Sequence, residues 1–153
     1  MTPLFKKLNL ATTRVVHVLN APSSFEGELE ALAGVDVKRV VTGKVAFAIA
    51  FVKTLAEVER ASAELTGSAQ DDAVLWMVYP KGTSKRYTCE FNRDTGWKSL
   101  GQAGYEPVRQ VAIDEDWSAL RFRKAEHIKT MRRNPEGAIS SAGQKKAREQ
   151  REA

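Results

Sequence analysis

The chain has 153 residues, 42% of them hydrophobic and 28% charged, with 24 basic against 19 acidic side chains and a net charge of +5. A single domain of this size buries roughly 70% of its unfolded surface and needs no covalent staple, and with one cysteine, Cys89, no internal disulfide is possible. Cys89, His17 and His127 are too far apart for a clustered Cys/His metal site, and there is no apolar run of the roughly 18 residues a membrane span needs. These absences lead to the expectation of a cytoplasmic protein with no metal, no resident cofactor and no membrane partner.

Taken in chain order, Thr2-Pro3 places a cap and a proline ahead of Leu4, Phe5 and Leu8, which predicts a short helix. Val15 to Leu19 is a β-branched run of the kind buried on both faces, with His17 inside it as a hydrogen-bonded core residue. Ser23 and Glu26 have capping-box spacing, and Phe25, Leu29 and Leu32 then share a helical face that Gly34 stops. Val35 to Val41 reads as a second strand. Val45 to Val52, wholly apolar and short, reads as a central third. Thr54 and Glu57 form another capping box, opening a helix that buries Leu55, Val58, Ala61 and Leu65 and ends at Gly67. Ala73 to Tyr79 is a fourth strand, stopped by Pro80. Asp94 is the expected cap of a helix carrying Trp97, Leu100 and Ala103 up to Gly104. Pro107 to Ile113 and Ser118 to Phe122 then flank the turn Asp114-Glu115-Asp116-Trp117 as a hairpin. Helical propensity resumes from Glu126 to Arg133, whereas residues 134–153 are polar without apolar periodicity, a disordered tail or a frayed helix.

Strands that alternate with helices predict right-handed crossovers and a mostly parallel sheet covered on both faces. The expected fold is α/β, a Rossmann-like three-layer sandwich over residues 1–133, closed by an antiparallel C-terminal hairpin. Its final part is similar to the end of a class I methyltransferase domain.

Three groups of strings carry a family resemblance: Leu19-Asn20-Ala21-Pro22; Trp76-Met77-Val78-Tyr79-Pro80-Lys81 with Ser84-Lys85; and Val111-Ala112-Ile113-Asp114 with Trp117-Ser118-Ala119-Leu120-Arg121-Phe122. Together they resemble an uncharacterised bacterial family labelled domain of unknown function 3052, over residues 2 to about 124. The resemblance implies the fold just described and a bacterial cytoplasmic setting. It implies no catalytic residues.

In open parallel sheets, ligands bind beyond the carboxyl ends of the strands where the strand order reverses. Those ends deliver Asn20, Ser23 and Ser24 after the first strand, Lys53 and Thr54 after the third, and Lys81, Thr83, Ser84, Lys85 and Arg86 after the fourth. Trp117, beside the acidic turn, is the aromatic expected in a pocket wall. Hydroxyls, lysines and helix N-termini together suit a small anionic molecule, with Lys81, Ser84 and Lys85 as its main contacts. The opposing reading is structural: Ser23 and Thr54 as helix caps, the lysines solvated, and Asp114 to Asp116 as turn chemistry. Lys85 and Arg86 precede Cys89, a setting that lowers a thiol pKa, with a merely packed thiol as the other reading.

Two further functions are compatible with the sequence. From Arg121 to Arg133 six basic residues stand against Glu126 alone, an electrostatic footprint for nucleic acid without a recognisable motif. A divergent S-adenosylmethionine-dependent methyltransferase is the other. Against it, the first turn has no glycine before Gly27, and Val40-Val41-Thr42-Gly43 after the second strand carries no carboxylate for ribose hydroxyls. No Gly-x-Ser-x-Gly elbow occurs, and neither histidine has a nucleophile near it in sequence.

Overall fold

The computed structural model describes residues 2–128. Helix α1, Pro3–Lys7, starts as the sequence predicts: the Thr2 hydroxyl accepts from the Phe5 amide, and proline occupies the first turn. Strand β1, Val15–Leu19, follows, then a 3-10 turn over Ser23–Phe25 that leads into α2, Glu26–Glu30. The Ser23–Glu26 capping box is absent. The 3-10 turn takes Ser23 into the helical path, and the Glu26 carboxylate instead receives two hydrogen bonds from Arg39, at 2.8 and 2.7 Å. Strand β2 is only Asp36–Lys38, shorter than the predicted Val35–Val41, because the chain leaves the sheet edge at Arg39 to cross over β1.

Strand β3, Val45–Phe51, is the buried central strand expected from its unbroken apolar run. Helix α3, Leu55–Ser68, carries the predicted capping box at Thr54 and Glu57 and buries Val58, Ala61 and Leu65, whereas Leu55 is exposed. Strand β4, Ala69–Pro80, starts four residues before the predicted Ala73 and includes Pro80. Its polar first residues have no apolar alternation to announce them. Helix α4, Lys98–Gln102, is shorter than predicted and is preceded by Trp97, so Asp94 does not cap it. Strands β5, Tyr105–Ala112, and β6, Trp117–Lys124, form the closing hairpin. In place of the helix expected from Glu126 there is a 3-10 turn, Ala125–His127; the remainder of that prediction and the predicted tail lie outside the described residues.

The six strands form one sheet in the order β2-β1-β3-β4-β6-β5. The first four are parallel, and β6 runs antiparallel to both β4 and β5. Alternation along β4 divides the core: Leu75, Met77 and Tyr79 face the layer of α3 and α4, while Trp76 and Val78 face that of α1 and α2. The second layer is pinned by the Trp76 indole, which donates to the Leu8 carbonyl at 2.8 Å. The first is built on an aromatic cluster of Tyr79, Phe91, Trp97 and Phe122. The Rossmann-like α/β arrangement with its antiparallel closing hairpin is thus the architecture of the chain.

The connection from β2 to β3, residues 39–44, contains no helix. It crosses β1 at His17, which is fully buried and whose Nε2 lies 3.1 Å from the Thr42 carbonyl and 3.3 Å from its amide. His17 is the hydrogen-bonded core residue expected of it, and among the described residues its second ring nitrogen, Nδ1, has no partner.

Candidate functional site

Three clefts open at the carboxyl edge of the sheet, the third of them, about 410 Å³, joining the predicted Lys53, Thr54 and Arg86 to Tyr87, Thr88, Cys89 and Glu90. The first, about 520 Å³, lies between the end of β1, the crossing segment after β2 and the first half of α3; it is lined by Leu19, Asn20, Arg39, Val40, Val41, Glu57, Arg60, Ala61 and Glu64. It sits where the strand order reverses, since the connection from β1 leads to β2 on one side while that from β3 leads to β4 on the other. Asn20 adopts φ 60°, the left-handed conformation that favours glycine and that Asn tolerates better than most residues. The first turn therefore attains a glycine-like backbone without glycine.

Charge in this cleft is mixed. Arg39 is held by Glu26, whose pKa that contact lowers, while the Glu57 carboxylate accepts from the Lys53 and Thr54 amides at 2.8 and 3.1 Å. Arg60 and Glu64, one turn apart on α3, present exposed charged groups to the same space.

The second cleft, about 560 Å³, lies on the α4 side of the closing hairpin and is lined by Tyr79, Lys81, Gly82, Thr83, Asn92, Arg93, Gln110, Ala112 and Ser118. Of these the sequence singled out only Lys81 and Thr83. Tyr79 reads as the last residue of an apolar strand, and Gln110 and Ser118 meet only through the hairpin register. Alternation in that hairpin, which puts both on the face of Tyr79, was the available signal.

The other predicted contacts are placed differently. Ser23 and Ser24 are exposed beside the 3-10 turn. Thr54 is a cap: its Oγ1 accepts from the Glu57 amide at 3.1 Å, and the neighbouring Leu55 amide donates to Glu90 at 2.8 Å. The N-terminus of α3, expected to attract an external anion, is thus occupied by carboxylates of the chain itself. The Lys53 ammonium lies 5.6 Å from the centre of the Tyr87 ring. Ser84 forms a turn, donating to Asp116 at 2.8 Å and accepting from the Arg86 and Tyr87 amides, and Lys85 is exposed. Trp117 is buried against Phe51 and Tyr87, part of the core rather than a pocket wall. The Asp114 carboxylate takes the Asp116 and Trp117 amides, the turn chemistry considered above. Burial pushes the Cys89 thiol pKa up, opposite to the lowering expected from Lys85 and Arg86. Within the basic segment, Arg123 makes a double hydrogen bond to Asp72 and Arg121 is half-buried; Lys129, Arg132 and Arg133 lie outside the described residues.

At the opposite edge, His127 Nε2 lies 2.7 Å from Asp71, and Glu126 joins them, with all three ligating atoms within 4.8 Å of one another. The sequence-level expectation of no metal did not foresee this grouping, because Asp71 is far from the other two along the chain. Two of the three side chains are exposed, and a charge-assisted hydrogen bond accounts for the closest contact.

No protein-family model and no curated protein matches the chain. Among solved structures, it is similar to the N-methyltransferase NodS from Bradyrhizobium japonicum WM9, with TM-score 0.51 and 12% identity over 79% of this chain and 92% of that one. The likeness is one of fold. Magnesium protoporphyrin IX methyltransferase from Synechocystis PCC 6803, determined with bound SAM, matches at TM-score 0.46 and 17% identity, covering 79% of this chain and 74% of that one. TrmN from Thermus thermophilus matches at TM-score 0.49 and 10% identity, and the chain spans about half of its length, 48%.

Proposed function

We propose that the protein is a divergent methyltransferase-like protein that binds a small adenosyl–amino-acid ligand, S-adenosylmethionine foremost, in the cleft between β1 and α3. The observation that carries this reading is the position of the cleft at the switch point of a sheet with a methyltransferase-like fold. Its volume lies in the ordinary range for small-molecule sites.

The residues fit such a ligand with a rearranged donor set. A carboxylate after β2 would ordinarily hold the ribose hydroxyls, but here that position is Arg39, already engaged by Glu26. Glu64, entering from α3, offers the carboxylate from the other wall. Arg60 would hold the ligand's own carboxylate, and Leu19, Val40, Val41 and Ala61 supply the apolar surface for a base. Asn20 supports the close backbone approach that glycine usually allows. The bound compound would supply an electrophilic methyl group. Both carboxylates that line the cleft have other roles in this arrangement, Glu57 as acceptor of the Lys53 and Thr54 amides and Glu64 toward the ribose, so the reading is one of binding.

The test is calorimetric titration of the full chain with S-adenosylmethionine and S-adenosylhomocysteine. Saturable binding is expected, weakened at least about tenfold, or 1.4 kcal/mol, by Arg60→Glu and by Glu64→Lys. Both substitutions are on an exposed helical surface and leave the fold intact. Absence of heat with both compounds, or binding insensitive to both substitutions, overturns the proposal.

A further inference from the structure

We infer that the second cleft, on the α4 side of the closing hairpin, is a separate binding site for the oxyanion of a small molecule, a carboxylate or a phosphate. It does not rest on the adenosyl reading, with which it shares no lining residue.

The centre of the site is a three-residue arrangement. Gln110 donates one hydrogen bond to the Tyr79 oxygen at 3.0 Å and one to the Ser118 oxygen at 2.9 Å. Its carbonyl oxygen meanwhile faces the Arg93 guanidinium at 3.3 Å, which fixes the amide orientation. Gln110 thus uses both amide protons on two hydroxyl groups, each of which becomes an acceptor there and keeps a proton of its own to give. The Tyr79 and Ser118 hydroxyls also hydrogen-bond to each other, so one of these two protons serves that contact and the other remains to be given. Tyr79 and Ser118 are each only 4% exposed, so these donors are held by the core and not by solvent. A desolvated donor with no acceptor carries a cost that a bound oxyanion removes.

The cations point the same way. Lys81, directly after β4, and Arg93, in the loop before α4, line the cleft, and among the described residues no carboxylate does. Asp94, 3.7 Å from Arg93, lies outside the lining, and both side chains of that pair are exposed. The polarity differs from the first cleft, where Glu57 and Glu64 stand beside Arg39 and Arg60. Asn92 and Thr83 add side-chain amide and hydroxyl donors at the mouth. Behind the site, Tyr79 packs edge-on to Trp97 at 5.6 Å, so the phenol has a fixed position before any ligand arrives.

The experiment is an NMR titration of the full chain, with inorganic phosphate and acetate as separate probes and sodium chloride at matched ionic strength as the control. Expected are saturable shifts of the Ser118 and Gln110 amides with at least one probe and none with chloride; the better probe distinguishes phosphate from carboxylate ligands. Tyr79→Phe, which removes only the hydroxyl, is expected to weaken binding at least fivefold, and the double variant Lys81→Ala, Arg93→Ala to remove saturation. Arg60→Glu in the first cleft leaves it unchanged. Shifts that do not saturate, equal shifts with chloride, or an affinity unaltered in both cleft variants overturn the inference. Both altered lysine and arginine side chains lie at the surface, so the double variant is informative even where Tyr79→Phe fails to fold.

Discussion

Asp72 shows how much of a charged residue's role is set by one neighbour. Its carboxylate receives two hydrogen bonds from Arg123, both 2.7 Å, and this contact holds its pKa below the ordinary carboxylate value and raises that of Arg123. The side chains are 37% and 33% exposed, so solvent screening limits the pair to about 0.5–1 kcal/mol at neutral pH. Because the folded pKa is the lower one, the unfolded chain binds more protons between the two values, and stability rises with pH there. The contribution is complete above about pH 5, beyond the unfolded pKa near 3.9, and is lost as pH falls through the folded value. Asp72→Asn keeps a residue type that tolerates the φ of 53° found here. Urea denaturation at pH 7 and pH 3 is therefore expected to show a smaller acid loss in Asp72→Asn than in the parent chain; equal losses would remove the pair from the account. The same contact bears on the basic segment, because Arg123, counted in sequence among cations open to phosphate, already has its anion.

At the scale of elements, α3 is held at its start by carboxylates from two directions. Glu57 caps from within, and Glu90, 35 residues away from Leu55, accepts the Leu55 amide at 2.8 Å. A negative charge at this end of a helix opposes the partial positive charge of its free amides. Glu90→Gln preserves an acceptor and removes the charge, so a loss of about 0.3–1 kcal/mol is expected in urea denaturation at low salt, shrinking at high salt. An unchanged midpoint at low salt would show that Glu90 acts only as a neutral acceptor. The Thr54–Glu57 box was legible because both partners lie in one turn; Glu90 was not, because loop closure brings it there. The same physics separates the strands. β1 and β3 stand out as continuous apolar runs, whereas β4 opens with Ala69-Gln70-Asp71-Asp72, which has no apolar pattern and in which Ala69 alone pairs with β3, at Val45, before the irregularity that ends at Val74. The Ser23 box failed for the opposite reason: its spacing was right, but Arg39, brought alongside by β2, competed for Glu26.

For the molecule as a whole, the order of apolar and polar segments was enough to place a parallel sheet with a closing hairpin and to direct attention to its carboxyl edge. It could not show that this edge holds clefts of different polarity, because the difference depends on which sheet face Tyr79, Gln110 and Ser118 share and on where residues 39–44 cross β1. Net charge was equally uninformative, since Arg39 and Arg123 are neutralised by partners distant in sequence. The sheet that separates the two layers also couples them: each central strand contributes alternate side chains to both cores, so neither layer can lose its packing while the other keeps its floor. The tryptophans report on this directly, because Trp76 and Trp117 belong to the α1/α2 layer and Trp97 to the α3/α4 layer. Trp97→Phe leaves emission from the α1/α2 layer alone, and the double variant Trp76→Phe, Trp117→Phe leaves emission from the α3/α4 layer. In each variant the fluorescence midpoint in urea is expected to coincide with that of far-ultraviolet circular dichroism, as a single cooperative transition requires. Comparing two probes within one variant removes the effect of the substitution on stability itself. A fluorescence transition that precedes the loss of secondary structure in either variant would show that its layer comes apart first and that the shared sheet does not bind the two cores into one unit.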